Sequence, residues 1–171
     1  MRSRWIAALM AAALVALVAA GCGGDSGGDG STPDEALASD ATVSTADGYE
    51  YEIVEVTEDA TEAVLLENQF NDPPGADQQF LIVQLQVTAT PEADGPFSAP
   101  TRLRLLGPNG RAYTTFENRC GVIPGRFESG FGSPGAMATG NLCWSVRTED
   151  VDELLLFEDS RAGNTNYQRL S

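Results

Sequence analysis

Cysteine, arginine and carboxylate are the side chains of this sequence that could do chemistry. The 171 residues carry three cysteines, 25 acidic residues and 10 basic ones, all of them Arg, and no His. Without His the usual general base is missing, as are the Ser-His-Asp and Cys-His arrangements and the commonest ligand for zinc and copper. Past residue 22 only Met137 offers a thioether, so copper handling is not expected either. A glycosidase could use two of the many carboxylates, but no spacing singles out a pair. No catalytic residue and no cofactor are expected, and the sequence does not read as an enzyme.

Two charged groupings are candidates for binding. Glu50, Glu52, Glu55, Glu58, Asp59, Glu62 and Glu67 form an acidic run. Calcium wants several oxygen ligands at once, yet no stretch has EF-hand spacing, so the run reads as a solvated face and no metal site is expected. Arg102, Arg104, Arg111, Arg119 and Arg126 concentrate half of the arginines in a quarter of an acidic chain. They could grip a carboxylate or phosphate on a wall polymer or on a partner's acidic face. The simpler alternative is pairing with the chain's own surplus acids. The expected interaction surface is Arg102, Arg104, Arg126, Phe127 and Phe131. With a net charge of −15, nucleic acid is not an expected partner.

The third cysteine has a different setting. Met1–Gly21 holds Arg2 and Arg4, an apolar run from Trp5 to Ala20, and small residues at its end, the layout of a secretory signal. The ending Leu17-Val18-Ala19-Ala20-Gly21-Cys22 resembles the lipobox of bacterial lipoprotein signals, with Ala19 where Leu is usual. That resemblance implies cleavage before Cys22, two acyl chains on its sulfur and a stable hold on the membrane. Residues 22–41 are rich in Gly, Ser and Asp and contain no aromatic residue, so they are expected to form a flexible acidic tether reaching about 25 Å.

Residues 42–160 are the expected domain. Tyr49–Val56 alternates like a half-buried strand, with a phase slip at Ile53-Val54 that predicts a bulge or a change of sheet. Glu58–Glu67 is open to two readings: Thr61, Ala63 and Leu65 could line a strand, while Ala60, Ala63, Val64 and Glu67 suit a helical turn, and a short strand or turn is the expectation. Gln79–Thr90 is the strongest strand: Leu81, Val83, Leu85 and Val87 share one face, while Phe80 and Ile82 cover the other only at its start. Thr101–Leu106 and Arg111–Glu117 are paired strands around the turn Gly107-Pro108-Asn109-Gly110. Gly140–Arg147 and Val151–Glu158 complete the set, and residues 161–171 are expected to fray as a polar tail. Six or seven strands without a convincing helix predict an all-β, antiparallel β-sandwich. Cys120 and Cys143 are left over after acylation and are expected to form a disulfide outside the cytoplasm. That bridge would pin a Gly-rich loop, 121–133, and deleting Gly121–Gly132 is expected to abolish partner capture while leaving the fold intact.

The lipobox and tether, Gly48-Tyr49-Glu50-Tyr51, the strand Phe80-Leu81-Ile82-Val83-Gln84-Leu85-Gln86-Val87, Leu105–Tyr113, Pro134-Gly135 and Gly140–Val146 together resemble a family of actinobacterial and Gram-positive envelope lipoproteins. The family's domain is related in fold to a secreted mycobacterial immunogenic antigen. One departure is Thr88-Ala89-Thr90 in place of the usual Asn. The resemblance implies an immunoglobulin-like β-sandwich that binds or displays something at the cell surface, and it brings no catalytic residues. The expected protein is thus lipid-anchored through Cys22 on the extracytoplasmic face of the cell membrane, with a protein or an envelope polymer as partner. The alternatives are an envelope carrier of a ligand or of calcium, and behind it a hydrolase of wall glycans.

Overall fold

The computed structural model describes residues 28–128, 130, 133–159 and 165–171. Among the described residues, eight strands form two antiparallel sheets of four. The first holds β1 (Val43–Ser44), β2 (Tyr49–Thr57), β3 (Gln78–Ala89) and β6 (Met137–Arg147) in that spatial order. The second runs β5 (Ala112–Tyr113), β4 (Leu103–Leu106), β7 (Leu155–Glu158), β8 (Tyr167–Arg169). The result is the expected immunoglobulin-like β-sandwich. Alternation drives it: Leu81, Val83, Leu85 and Val87 of β3 and Leu142, Trp144 and Val146 of β6 all point into one core with Leu103, Leu105 and Leu156 of the facing sheet. Trp144 is fully buried there and is the largest such side chain.

The phase slip on β2 is a bulge. Ile53 pairs with Leu85 and Glu55 with Gln84, so Val54 is the extra residue and is left exposed. The bulge lets Val56 pack on the core beyond it. Asn109 and Gly110 take φ of 60° and 75°, the left-handed backbone that the Asn-Gly pair suits.

Four elements differ from expectation, one of them β5, which keeps only Ala112–Tyr113 of the expected strand Arg111–Glu117. Residues Thr61–Glu67 form a helix, α1, not a strand or turn. It covers the outer face of β3 where Phe80 and Ile82 are apolar: Ala60 and Val64, one turn apart, bury against them. A helical turn, α2 (Ala99–Arg102), with Pro100 in its first positions, delays β4 to Leu103. A 3₁₀ segment over Thr148–Glu153 likewise delays β7 to Leu155.

Both ends of the domain are more ordered than composition suggests. Described residues 28–41 of the expected tether belong to the fold. Leu37 bridges Gln168 in parallel, its N–H donating to the Tyr167 carbonyl at 2.8 Å, and Ala36 is buried. The expected fraying tail contributes β8, which pairs with β7. Gln168 has no exposed surface, and its Nε2 reaches the carbonyls of Ala38, Ser39 and Ala41 at 3.3, 3.1 and 2.8 Å. Backbone pairing and one buried amide hold this segment where side-chain apolarity does not. Gln168→Ala is expected to cost about 3 kcal/mol by leaving those carbonyls without their donor. Urea melting would show the loss, and limited proteolysis would show early cuts at residues 38–41.

Candidate functional site

The outer face of the first sheet carries a disulfide-centred platform. Cys120 and Cys143 are joined, and the bridge closes 23 residues of chain separation. Around it Ala60, Val64, Phe80, Ile82 and Ile123 form a second buried cluster behind the main core. Asn71 locks the loop after α1 to the disulfide loop. Its Nδ2 donates to the Val64 and Val122 carbonyls at 2.7 Å each, and its Oδ1 accepts the Val122 N–H at 2.9 Å. The segments so tied present large apolar side chains to solvent: Leu66 is 79% exposed, Phe70 83% and Val122 47%. Phe116, in the strand-exit loop before Cys120, is exposed as well. Rigid exposed apolar groups of this kind mark interaction surfaces more often than scattered single residues do.

The arginines divide into two groups. Arg102 is the last residue of α2, so it does not share a strand face with Arg104 as expected. Its Nη1 and Nη2 donate to Asp47 at 2.6 and 2.8 Å, and its Nε donates to Glu158 at 3.1 Å. The guanidinium carbon lies 4.7 Å from the Phe97 ring centroid. Glu158 is 1% exposed, and burial pushes its carboxyl above the ordinary value despite Arg102. Burial also raises Asp47, but the hydrogen bonds from Arg102 and Thr45 outweigh it and leave its carboxyl below the ordinary value. Arg102 is therefore a structural clamp between the sheets' ends. Arg104 pairs with Asp159 at 2.5 Å, Arg111 approaches Asp150 at 3.7 Å, and Arg147 pairs with Glu149. For these four, pairing with the chain's own acids is the outcome. Arg119, Arg126 and Arg169 are the second group, exposed and with no ion pair among the described residues, and of these only Arg119 and Arg126 line a common cleft.

Phe127 corrects the expected surface. It is buried in the main core, edge-on to Phe97 with ring centroids 6.5 Å apart. Gly140 makes this possible: a Cβ there would stand 2.5 Å from the Phe127 Cα. With Phe127 in one core and Cys120 and Ile123 in the other, residues 120–127 are part of the fold, and the deletion would not spare it. Phe131 and Cys22 lie outside the described residues.

A cleft of about 50 Å³ opens beside the disulfide. Arg119 and Arg126 line it, with Pro100, Thr115, Ile123 and Leu142. The acidic run, by contrast, is spread along the outer face of β2 and α1, with Glu52 accepting a hydrogen bond from Gln86 at 2.6 Å. Sequence reasoning missed Leu66, Phe70 and Val122. Nothing local marks them, because the tie between their segments is made by Asn71 and the disulfide.

No protein-family model and no curated protein sequence matches the chain. Among solved structures, the secreted protein MPT63 of Mycobacterium tuberculosis is similar with a TM-score of 0.54 and 11% identity, covering 78% of this chain and 97% of MPT63. The chain shares the fold of MPT63. That likeness meets the expectation of a fold related to a secreted mycobacterial antigen. A Bacillus subtilis protein named as a candidate lipoprotein, YcdA, aligns at a TM-score of 0.49 and 14% identity, over 77% of this chain and 38% of its own. A conserved hypothetical protein of Bacillus anthracis aligns at 0.46 and 12% identity, over 77% and 94%.

Proposed function

We propose that the protein is a cell-envelope lipoprotein, held on the outer side of the cytoplasmic membrane by acylated Cys22, whose sandwich binds a partner through the disulfide-centred platform. The Cys120–Cys143 bridge carries this reading. Disulfides of this structural kind persist in oxidising, extracytoplasmic compartments. The Ala20-Gly21-Cys22 ending of the N-terminal segment supplies the matching export and anchoring signal.

Anchoring and platform are linked by chain length. The domain's described residues begin at Gly28, and Cys22 stands six residues before it. Six residues span at most about 20 Å, so the anchor keeps the domain close to the bilayer. Such a domain meets neighbours in the envelope, and Phe70, Leu66 and Val122 are the apolar groups it offers them.

Cys22→Ala is expected to abolish the acyl mass on the protein with its fold unchanged. An acyl mass that persists in the variant would defeat the anchor. Phe70→Ser, at an 83% exposed site, is expected to leave melting unchanged and to abolish site-specific crosslinks from residue 66 to other envelope components. Crosslinks that persist would defeat the platform.

A further inference from the structure

We propose that the cleft between Arg119 and Arg126 binds a single oxyanion group, a carboxylate or a phosphate, carried by the ligand of this domain. The inference rests on reading the domain as a binding module, and it is independent of the anchor.

Charge distribution points to it first. The chain has 25 acidic residues and a net charge of −15. Yet no Asp or Glu lines this cleft, while three other clefts on the molecule each carry a glutamate. Arg102, Arg104, Arg111 and Arg147 have all found acids. In a molecule so rich in carboxylates, two arginines that line one cleft with no acid in its lining and no ion pair among the described residues form a local positive site inside a negative field. A ligand anion is the group that would complete it.

Construction is the second argument. Arg119 precedes Cys120, whose disulfide fixes that side of the cleft to β6. Arg126 bridges Asn141 of β6 in parallel, with the Phe127 N–H donating to the Asn141 carbonyl at 3.0 Å and the Asn141 N–H to the Gly125 carbonyl at 2.8 Å. Both backbones are thus anchored to the same rigid strand, and only the side chains need to move onto a ligand. The disulfide, Ile123 and Leu142 give an apolar floor, all three buried. An apolar floor lowers the local dielectric and strengthens a guanidinium–oxyanion contact relative to open surface. Two planar guanidinium groups offer the forked donors that carboxylate and phosphate oxygens accept. A volume of about 50 Å³ admits one such group and not a whole sugar or nucleotide, so the remainder of the ligand lies outside, towards the exposed apolar platform.

The test is a titration of the full chain in detergent micelles at pH 7 and constant ionic strength. Sodium phosphate is used in one arm and sodium acetate in the other, with the Arg Nε–Hε resonances observed. Saturable shifts at Arg119 and Arg126 are expected, with Arg169, an exposed arginine of β8, unmoved. Arg119→Gln and Arg126→Gln should each weaken the apparent affinity at least tenfold, while Arg169→Gln leaves it unchanged. Saturation by phosphate alone assigns a phosphate-bearing ligand, by acetate alone a carboxylate-bearing one, and by both a general oxyanion site. Non-saturating shifts with both anions, or shifts of Arg169 in parallel, would overturn the proposal. Because the two sites are exposed, the variants should melt as the parent does, and a changed melt in a variant that still binds would also count against it. If no anion binds but Phe70→Ser still abolishes crosslinks, the oxyanion site falls and the binding module stands.

Discussion

Arg102→Met is expected to destabilise the domain by about 3–5 kcal/mol at pH 7, because it removes one partner of a buried ion pair and leaves the other charge unmatched. Glu158 is the charge left behind. It is 1% exposed, at the end of β7, and Arg102 donates to it through both Nε and Nη2. The Tyr51 hydroxyl is buried near it without a hydrogen-bond partner among the described residues, and offers Glu158 no established replacement. The loss has a defined pH dependence. Burial holds the folded Glu158 carboxyl above its ordinary value, so its contribution to stability is fully present below the unfolded pKa and is lost as pH rises through the folded one. Removing Arg102 enlarges that loss. Asp47 runs the other way: its carboxyl is lowered by Arg102 and Thr45, so its contribution is present above the unfolded pKa and fades as pH falls through the folded value. Between pH 7 and pH 4.5 the variant relieves its Glu158 penalty, which narrows the gap, while the parent keeps its Asp47 gain, since that fades only at lower pH. Urea melts at pH 7 and pH 4.5 should show a markedly smaller difference at the lower pH. A difference independent of pH would mean that Arg102 acts through packing on Phe97 instead. The double variant Arg102→Met/Glu158→Leu should recover most of the loss, since it removes both charges.

Cys120→Ala/Cys143→Ala is expected to cost about 3.5 kcal/mol by the loop-entropy relation for a closed loop of this length. The chain separation is 23 residues. The loss should be uneven. Main-core strands β3 and β6 are paired along their lengths and stay protected, whereas the cluster of Ala60, Val64 and Ile123 loses its cross-link. Amide exchange should therefore accelerate at residues 120–126 and on α1 before the rest of the sandwich. Because the cleft of Arg119 and Arg126 is floored by the same bridge, the reduced protein should also lose the anion-dependent shifts. Equal melting of the oxidised protein and the variant would show that the bridge adds nothing to this fold.

What could be read from the sequence follows how local each signal is. The period-two run of β3 names its own buried face, and the short apolar stretch Phe80–Ile82 on the other face foretold a second, smaller cluster. The bulge was visible because a strand cannot change faces without one. Helix α1 is legible only as an alternative, through the spacing of Ala60, Ala63, Val64 and Glu67. Seven residues give too few turns for a period to stand out, and what decides its conformation is the apolar start of β3 below it. The partners of Arg102 lie 55 and 56 residues away in sequence, so no spacing rule reaches them. Phe127 looked like an exposed ring in a Gly-rich loop, and only the absence of a side chain at Gly140 reveals the space it fills. Residues 28–41 looked like a tether because their cohesion is backbone pairing and Gln168, which composition does not register. The site was legible in part: the arginine cluster and the disulfide were named, but which arginines remain without acids emerges only from the folded arrangement.

Intact mass spectrometry of the protein purified from its native membrane, without reductant, tests the central claim most directly. The account predicts a chain that begins at Cys22, carries a diacyl mass on that residue, and lacks the two hydrogens that a Cys120–Cys143 bridge removes. A chain that begins elsewhere without acyl mass would contradict membrane anchoring, and free thiols at Cys120 and Cys143 would contradict the oxidised platform on which the binding surface is built.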